Sequence, residues 1–273
     1  MESSVLKYAR TAQNKGRTVT IGGVKFGGRQ LVSIAGPCSV ESYEQFLQTA
    51  LRVKKAGARM LRGGIYKPRT SPYAFQGLEE AGIEVLAAVK KKTGLPVVTE
   101  VLCGEHIELL RGVADGIQIG SRNMHNYHLL KAAGKSGIPV LLKRGMSATL
   151  EEFLMAAEYI LAAGNPNVLL CERGIRTFET STRFMFDINI VAYLKQKTWL
   201  PVIADASHGT GVRSLVTPVS CGAIAAGADG LITEVHYHPD KAVSDAAQTL
   251  SPVDFAKLMK TVKPIAEAVG RTI

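Results

Sequence analysis

Four residues far apart in the chain, Cys38, His208, Glu234 and Asp245, are of types that bind metals. One thiolate, one imidazole and two carboxylates suit a divalent transition ion such as Mn, Fe, Co or Zn. A second set is cationic: Arg62, Lys67, Arg122, Lys143 and Arg173. Brought together, these single cations would hold the carboxylate and phosphate oxygens of a small, highly charged anion. Each residue alone has a plainer reading, as an inert buried cysteine or a solvated surface charge. Their positions argue against it, because nearly all lie at or just past the end of a short apolar run. Cys38 follows Gly36-Pro37, Arg62 precedes Gly63-Gly64, Lys143 precedes Arg144-Gly145 and Arg173 precedes Gly174. His208 stands in Asp205-Ala206-Ser207-His208-Gly209, and Glu234 precedes Val235-His236. His236 and His238 are rival ligands near Glu234. Cys103, Cys171 and Cys221 fall on predicted helices or strands and read as packing residues.

The elements that must position these residues repeat along the chain. Apolar runs rich in Val, Ile and Leu occupy 31–35, 59–61, 97–99, 116–119, 140–142, 168–171, 202–204 and 230–233. Continuous runs of this length fit parallel strands buried on both faces. Amphipathic stretches follow each, near 42–56, 76–92, 104–111, 125–136, 149–163, 187–197, 213–227 and 252–269. In one of them Thr149 with Glu152 makes a capping box, Leu150, Phe153, Leu154, Ala157 and Ile160 form an apolar stripe, and Gly164 stands at the end. This alternation predicts an α/β fold, a (β/α)8 TIM barrel, preceded by a short N-terminal β-hairpin at 18–21 and 24–26 around Gly22-Gly23. An open doubly wound sheet is the competitor, but no G-x-G-x-x-G follows the first strand. The expected organisation is an extension over 1–30 and a catalytic barrel over 31–273, with no separate regulatory domain. In such a barrel, functional groups gather at the C-terminal strand ends.

Composition narrows the function classes. The chain carries 33 Lys+Arg against 23 Asp+Glu, a formal charge of +10. The basic residues are scattered, which suits individually placed anion ligands and argues against a nucleic-acid surface. No C-x-x-C pair, no N-terminal apolar signal region and no membrane-length apolar run occurs. A reducing cytoplasm is the expected compartment.

The strings IAGPCSVES, LRGGIYKPRTSPYAFQG, QIGSRNM, PVLLKRGMSATLEEFLMAAEYI, CERGIRTFET, ADASHGTG and AGADGLITEVHYHPDKAVSDAAQ resemble type I DAHP synthase, over most of the chain. The resemblance is to the short-form subgroup related to 3-deoxy-manno-octulosonate 8-phosphate synthase. It implies metal ligation by Cys38, His208, Glu234 and Asp245, and phosphoenolpyruvate binding by Arg62, Lys67, Arg122, Lys143 and Arg173. Arg69, Thr70 and Ser71, with Asp205, are expected to take erythrose 4-phosphate. The K-P-R-T-S segment is the pattern associated with that four-carbon sugar; octulosonate synthases, which use arabinose 5-phosphate, carry a K-A-N-R-type segment instead. Lys67, Cys38 and His208 are the expected catalytic residues, with Lys67 as proton donor to the developing alkoxide. The metal, Glu100 and Asp205 all remain open as the group that activates the water. A homo-oligomer, dimer or tetramer, is implied by the resemblance. One departure is local: the familiar D-P-S-H-A-T-G reads Asp205-Ala206-Ser207-His208-Gly209-Thr210-Gly211 here, and loss of the proline is expected to loosen the His208 loop. A Schiff-base aldolase using Lys143 and a non-catalytic nucleic-acid-binding barrel are the alternatives in other classes.

Overall fold

A computed structural model of the chain describes residues 6–10 and 16–273. Positions 1–5 and 11–15 of the expected extension lie outside the described residues. Strands β1 (Val19–Ile21) and β2 (Val24–Phe26) form the antiparallel hairpin. Gly22 and Gly23 turn it with φ of 52° and 81°, a conformation that is cheap only without a Cβ. Gly22 lies against Pro96 and Ile21 against Gly116, so the hairpin covers the N-terminal end of the barrel, away from the predicted site.

The barrel comprises β3 (Val32–Gly36), β4 (Met60–Arg62), β5 (Val97–Val101), β6 (Gly116–Ile119), β7 (Val140–Lys143), β8 (Val168–Glu172), β9 (Val202–Ala204) and β10 (Gly230–Glu234). All neighbours pair in parallel, and β10 closes on β3 in the register Gly230↔Val32 to Glu234↔Gly36. Every residue of these strands is buried, which is why they read as continuous apolar runs and not as alternating ones.

Around the barrel stand α1 (Tyr43–Lys55), α2 (Ala81–Thr93), α3 (Gly104–Leu109), α4 (Tyr127–Ser136), α5 (Leu150–Ala162), α6 (Ile188–Lys197), α8 (Arg213–Ala225) and α9 (Pro252–Ala268); the single-turn α7 (Ala206–Thr210) follows β9. The capping box at Thr149 and Glu152 forms as expected.

Two elements differ from the sequence reading, and both bear on the site. Helix α2 starts five residues later than expected. Gly77 has φ 108°, with its Cβ position only 2.0 Å from the Ile65 carbonyl oxygen, and Glu79 has φ 52°. The chain therefore doubles back here, pinned by Lys67 N–H donating to Gln76 O at 2.7 Å and Glu79 N–H to Ile65 O at 2.8 Å. These bonds close the 67–76 loop at its base. The second difference is α7, read from sequence as an open loop.

Candidate active site

Gly36 ends β3 where an added Cβ would lie 2.1 Å from the Arg62 carbonyl oxygen. Only glycine allows this approach, and two residues later the chain presents Cys38 at the barrel mouth, 3 % exposed. Its thiol donates to Asp245 Oδ2 at 3.1 Å. Glu234 is the last residue of β10 and is fully buried, with Oε1 2.9 Å from Arg62 Nη1 and 3.3 Å from His208 Nε2. His208 is carried by α7, whose cap is the Asp205 carboxylate. Asp205 Oδ1 accepts from His208 N–H at 3.0 Å, and Oδ2 lies 2.8 Å from Nδ1. With Nδ1 bonded to Asp205, the Nε2 lone pair is turned toward Glu234, the orientation expected of a metal-binding imidazole.

The ligand atoms of Cys38, His208, Glu234 and Asp245 all lie within 4.8 Å of one another. Burial, with the charge of Glu234, pushes the Cys38 thiol up to about 12. Burial holds His208 below its usual value, so it is neutral near pH 7. A soft sulfur, a neutral imidazole and two carboxylates packed in a buried cluster fit a divalent transition ion. His236 and His238 do not join: His236 Nε2 lies 3.4 Å from Glu41 Oε2, its Nδ1 accepts from His238 N–H, and His238 is exposed.

The expected loosening of the His208 loop is corrected by the structure. Asp205 caps α7, and Gly209 packs so closely on Phe186 that a Cβ would come 2.7 Å from the ring. The glycine makes room for an aromatic neighbour, and the turn is held without the proline.

A cavity of about 300 Å³ opens above this cluster. Arg62, Lys67, Arg122, Lys143 and Arg173 all line it, together with Arg69, Thr70 and Ser71. Thr70, Ser71 and Arg122 are exposed at its mouth, while Arg62, Lys67, Lys143 and Arg173 are buried in its floor and walls. The Nε atoms of Arg62 and Arg173 are buried with no hydrogen-bond partner. Lys67 Nζ lies 3.6 Å from Glu100 Oε2, and Glu100 also accepts from Gln118 at 3.3 Å. Burial alone would lower the Lys67 ammonium; Cys38 and Glu100 outweigh it, and the group is raised.

Asp205 is placed differently from the expectation. It is fully buried and does not line the cavity. Its Oδ2 binds Lys143 Nζ at 2.5 Å as well as His208, so its lone pairs are engaged beneath the floor. Burial would push this carboxyl up, but His208 and Lys143 hold it well below the usual carboxylate range. Lys143, the nucleophile of a Schiff-base reading, is thus committed to an ion pair. Sequence reasoning missed Arg183, Gln118 and Gln248. Arg183 also lines the cavity and binds Asp245 Oδ1 at 2.8 Å, yet it lies in an irregular segment with no local signal to mark it.

Residues 9–269 match the DAHP synthetase I family. The chain belongs to that family. It is 49 % identical over 252 residues to the phospho-2-dehydro-3-deoxyheptonate aldolase of Thermotoga maritima, covering 92 % of this chain and 75 % of that protein. The crystal structure of that enzyme, described as DAHP synthase, superposes with a TM-score of 0.94 at 46 % identity, covering 98 % of this chain and 80 % of that one. A 2-dehydro-3-deoxyphosphooctonate aldolase of Syntrophotalea carbinolica is more distant, at 33 % identity over 265 residues, covering 90 % of this chain and 94 % of that protein. These relatives fit the short-form subgroup read from the motifs.

Proposed function

We propose that this family member condenses phosphoenolpyruvate with erythrose 4-phosphate to give 3-deoxy-arabino-heptulosonate 7-phosphate and inorganic phosphate, the first step of the shikimate route to aromatic amino acids. One observation carries the reading: the cations, the Lys67–Ser71 segment, and His208 and Asp245 of the ligand cluster all line a single cavity at the C-terminal strand ends, and Cys38 and Glu234 lie in the same cluster. Residues 31–273 form the catalytic unit in this proposal.

Arg62, Lys143, Arg173 and Arg122 hold the carboxylate and phosphate of phosphoenolpyruvate. Their charges are fixed before the substrate arrives, so little reorganisation is needed as charge develops. The unpartnered Nε donors of Arg62 and Arg173 support a site meant to be completed by an anion. Arg69, Thr70 and Ser71 take the aldose phosphate at the mouth. Cys38, His208, Glu234 and Asp245 hold a divalent transition metal, which when bound supplies Lewis-acid polarisation of the aldehyde. As the methylene carbon of phosphoenolpyruvate bonds to the aldehyde carbon, Lys67, which lines the cavity, donates a proton to the aldehyde oxygen. Water adds at the central carbon, and phosphate leaves by carbon–oxygen cleavage. Of the two carboxylates considered for the water, Glu100 borders the cavity and Asp205 does not, which supports Glu100. Asp205 instead positions His208 and Lys143.

No helix among the described residues is long and apolar enough to cross a membrane. Four free cysteines, one of them a proposed ligand that must stay reduced, support a reducing cytoplasm. Self-association as a homo-oligomer is proposed on the family resemblance alone.

A phosphate-release assay tests the proposal. Release is expected only when phosphoenolpyruvate and an aldose phosphate are both present, fastest with the four-carbon sugar, lost on chelation and restored by divalent transition ions. Full turnover in a metal-free preparation contradicts the metal assignment, and no release with any aldose phosphate contradicts the reaction.

A further inference from the structure

Two polar residues behind the ligand cluster form a connection that the reaction scheme above does not use. Arg183 Nη1 lies 2.8 Å from Asp245 Oδ1 and 3.2 Å from Gln248 Oε1. Gln248, buried, donates its Nε2 to Glu234 Oε2 at 2.7 Å. The amide orientation follows from its partners, with its oxygen facing a cation and its nitrogen a carboxylate. One guanidinium therefore reaches both carboxylates of the cluster, Asp245 directly and Glu234 through a single amide.

Arg183 is itself held. Its N–H donates to Thr210 O at 3.0 Å, directly beyond His208 in α7. Gly211 leaves the space for it, since a Cβ there would come 2.5 Å from the Arg183 Cβ. An antiparallel bridge between Ile175 and Met185 ties off the excursion that carries it. The Phe184 ring centre lies 5.5 Å from the Arg183 guanidinium carbon and 4.0 Å from that of Arg173. Asp245, by contrast, follows an irregular segment and has φ 54°, rare outside glycine. Nothing in regular secondary structure orients its carboxylate.

We infer that Arg183 and Gln248 act as one positioning unit for the two carboxylate ligands. Arg183 fixes Asp245 Oδ1, which leaves Oδ2 facing Cys38 Sγ; Gln248 fixes Glu234 Oε2, which leaves Oε1 facing His208. Without the unit Asp245 keeps only its contact with Cys38, and Glu234 keeps Arg62 on Oε1 but loses its hold on Oε2, so metal binding must remove the freedom regained. Outer partners of this kind are generally worth about 10- to 100-fold in metal affinity. The inference rests on the metal reading proposed above. Arg183 also borders the cavity and is 39 % exposed, so a direct substrate contact is the competing role.

The experiment measures metal affinity and substrate dependence separately. Zn(II) dissociation constants are measured by chelator competition, and the Co(II)–thiolate absorption band reports the environment of Cys38, for the native chain, Cys38→Ser, Arg183→Ala, Arg183→Lys, Gln248→Leu and the Arg183→Ala/Gln248→Leu pair. Arg183→Ala and Gln248→Leu are each expected to weaken Zn(II) binding about 10- to 100-fold and to shift the Co(II) band. Arg183→Lys is expected to recover part of the loss. The double variant should fall well short of the product of the two single effects, as members of one network do. At saturating metal, the KM for phosphoenolpyruvate should stay within about threefold of native. Native Zn(II) affinity in Arg183→Ala, with Cys38→Ser abolishing binding, overturns the inference and leaves the metal reading intact; so does a raised KM for either substrate with unchanged metal affinity. A native chain with no Cys38-dependent metal binding overturns both.

Discussion

Asparagine at position 205 changes one buried atom and tests how the floor of the site is held. The Asp205 carboxylate is fully buried, and it serves three donors: Lys143 Nζ at 2.5 Å, His208 Nδ1 at 2.8 Å and His208 N–H at 3.0 Å. An amide keeps the shape but only one acceptor oxygen. If that oxygen caps α7, the NH2 group faces both Lys143 and the imidazole. Each hydrogen bond to a charged group is worth about 1.5–3 kcal/mol. Lys143 is 4 % exposed, so its ammonium is left buried without its counter-charge. Breaking a buried pair from one side costs about 3–5 kcal/mol. We expect a functional loss of about 3 kcal/mol, roughly 150-fold. It should be divided between a higher KM for phosphoenolpyruvate, because Lys143 is misplaced, and weaker metal binding, because His208 loses the partner that sets its tautomer. Steady-state kinetics with each substrate varied, alongside chelator-competition titration, measures both. A variant with native phosphoenolpyruvate KM and native metal affinity refutes the positioning role. A defect confined to the aldose KM would return Asp205 to the aldose site.

Cys38→Ser is expected to behave like metal-stripped protein, because a hydroxyl is a far weaker ligand for a soft ion; bound metal after dialysis checks it. Metal affinity of the native chain should rise with pH, since the thiol is pushed up to about 12 by burial and must lose its proton on binding; pH-independent affinity from 6 to 9 (roughly) would contradict thiolate ligation. Arg144→Met strands the fully buried Glu172, which Arg144 Nη1 meets at 3.0 Å, and should cost about 3–5 kcal/mol, seen as a melting temperature lower by roughly 10 °C, with Glu172→Gln in the same background recovering part of it. Gly209→Ala forces a Cβ to within 2.7 Å of the Phe186 ring and should cost about 1–3 kcal/mol by thermal melting, with Phe186→Leu relieving it.

All eight barrel strands and the outer helices were legible because burial on both faces writes an apolar run, and a one-faced helix writes a 3.6-residue stripe. The clustering of Cys38, His208, Glu234 and Asp245 was legible for a related reason: parallel strands deliver their C-terminal ends to one rim, so residues some 200 positions apart become neighbours by topology. What escaped was set by close contact. Helix α2 was expected to begin at 76 because Gly77 and Glu79 do not announce positive φ; the reason is a carbonyl of Ile65 brought in by the fold. Helix α7 is a single turn with a glycine inside it, too short for periodicity, although Asp205 three residues before His208 is a cap signal. That Asp205, read as a substrate ligand, meets Lys143 and His208 is set by tertiary contacts that the sequence does not announce. Arg183 and Gln248 act only through tertiary partners, and residue type alone does not reveal those.

The central claim, four-carbon aldose specificity, is tested most directly by the ratio of kcat/KM for erythrose 4-phosphate to that for arabinose 5-phosphate in one metal-replete preparation. The loop bearing Arg69, Thr70 and Ser71 is closed at its base by the Lys67–Gln76 and Ile65–Glu79 backbone bonds, and Pro68 stiffens it, so it cannot slide to accept a longer sugar. With the phosphate on Arg69, one extra carbon displaces the aldehyde by about 1.5 Å, a misplacement that costs on the order of 10²-fold in rate. The account predicts a ratio of roughly 100 in favour of erythrose 4-phosphate; equal or better use of arabinose 5-phosphate would contradict it.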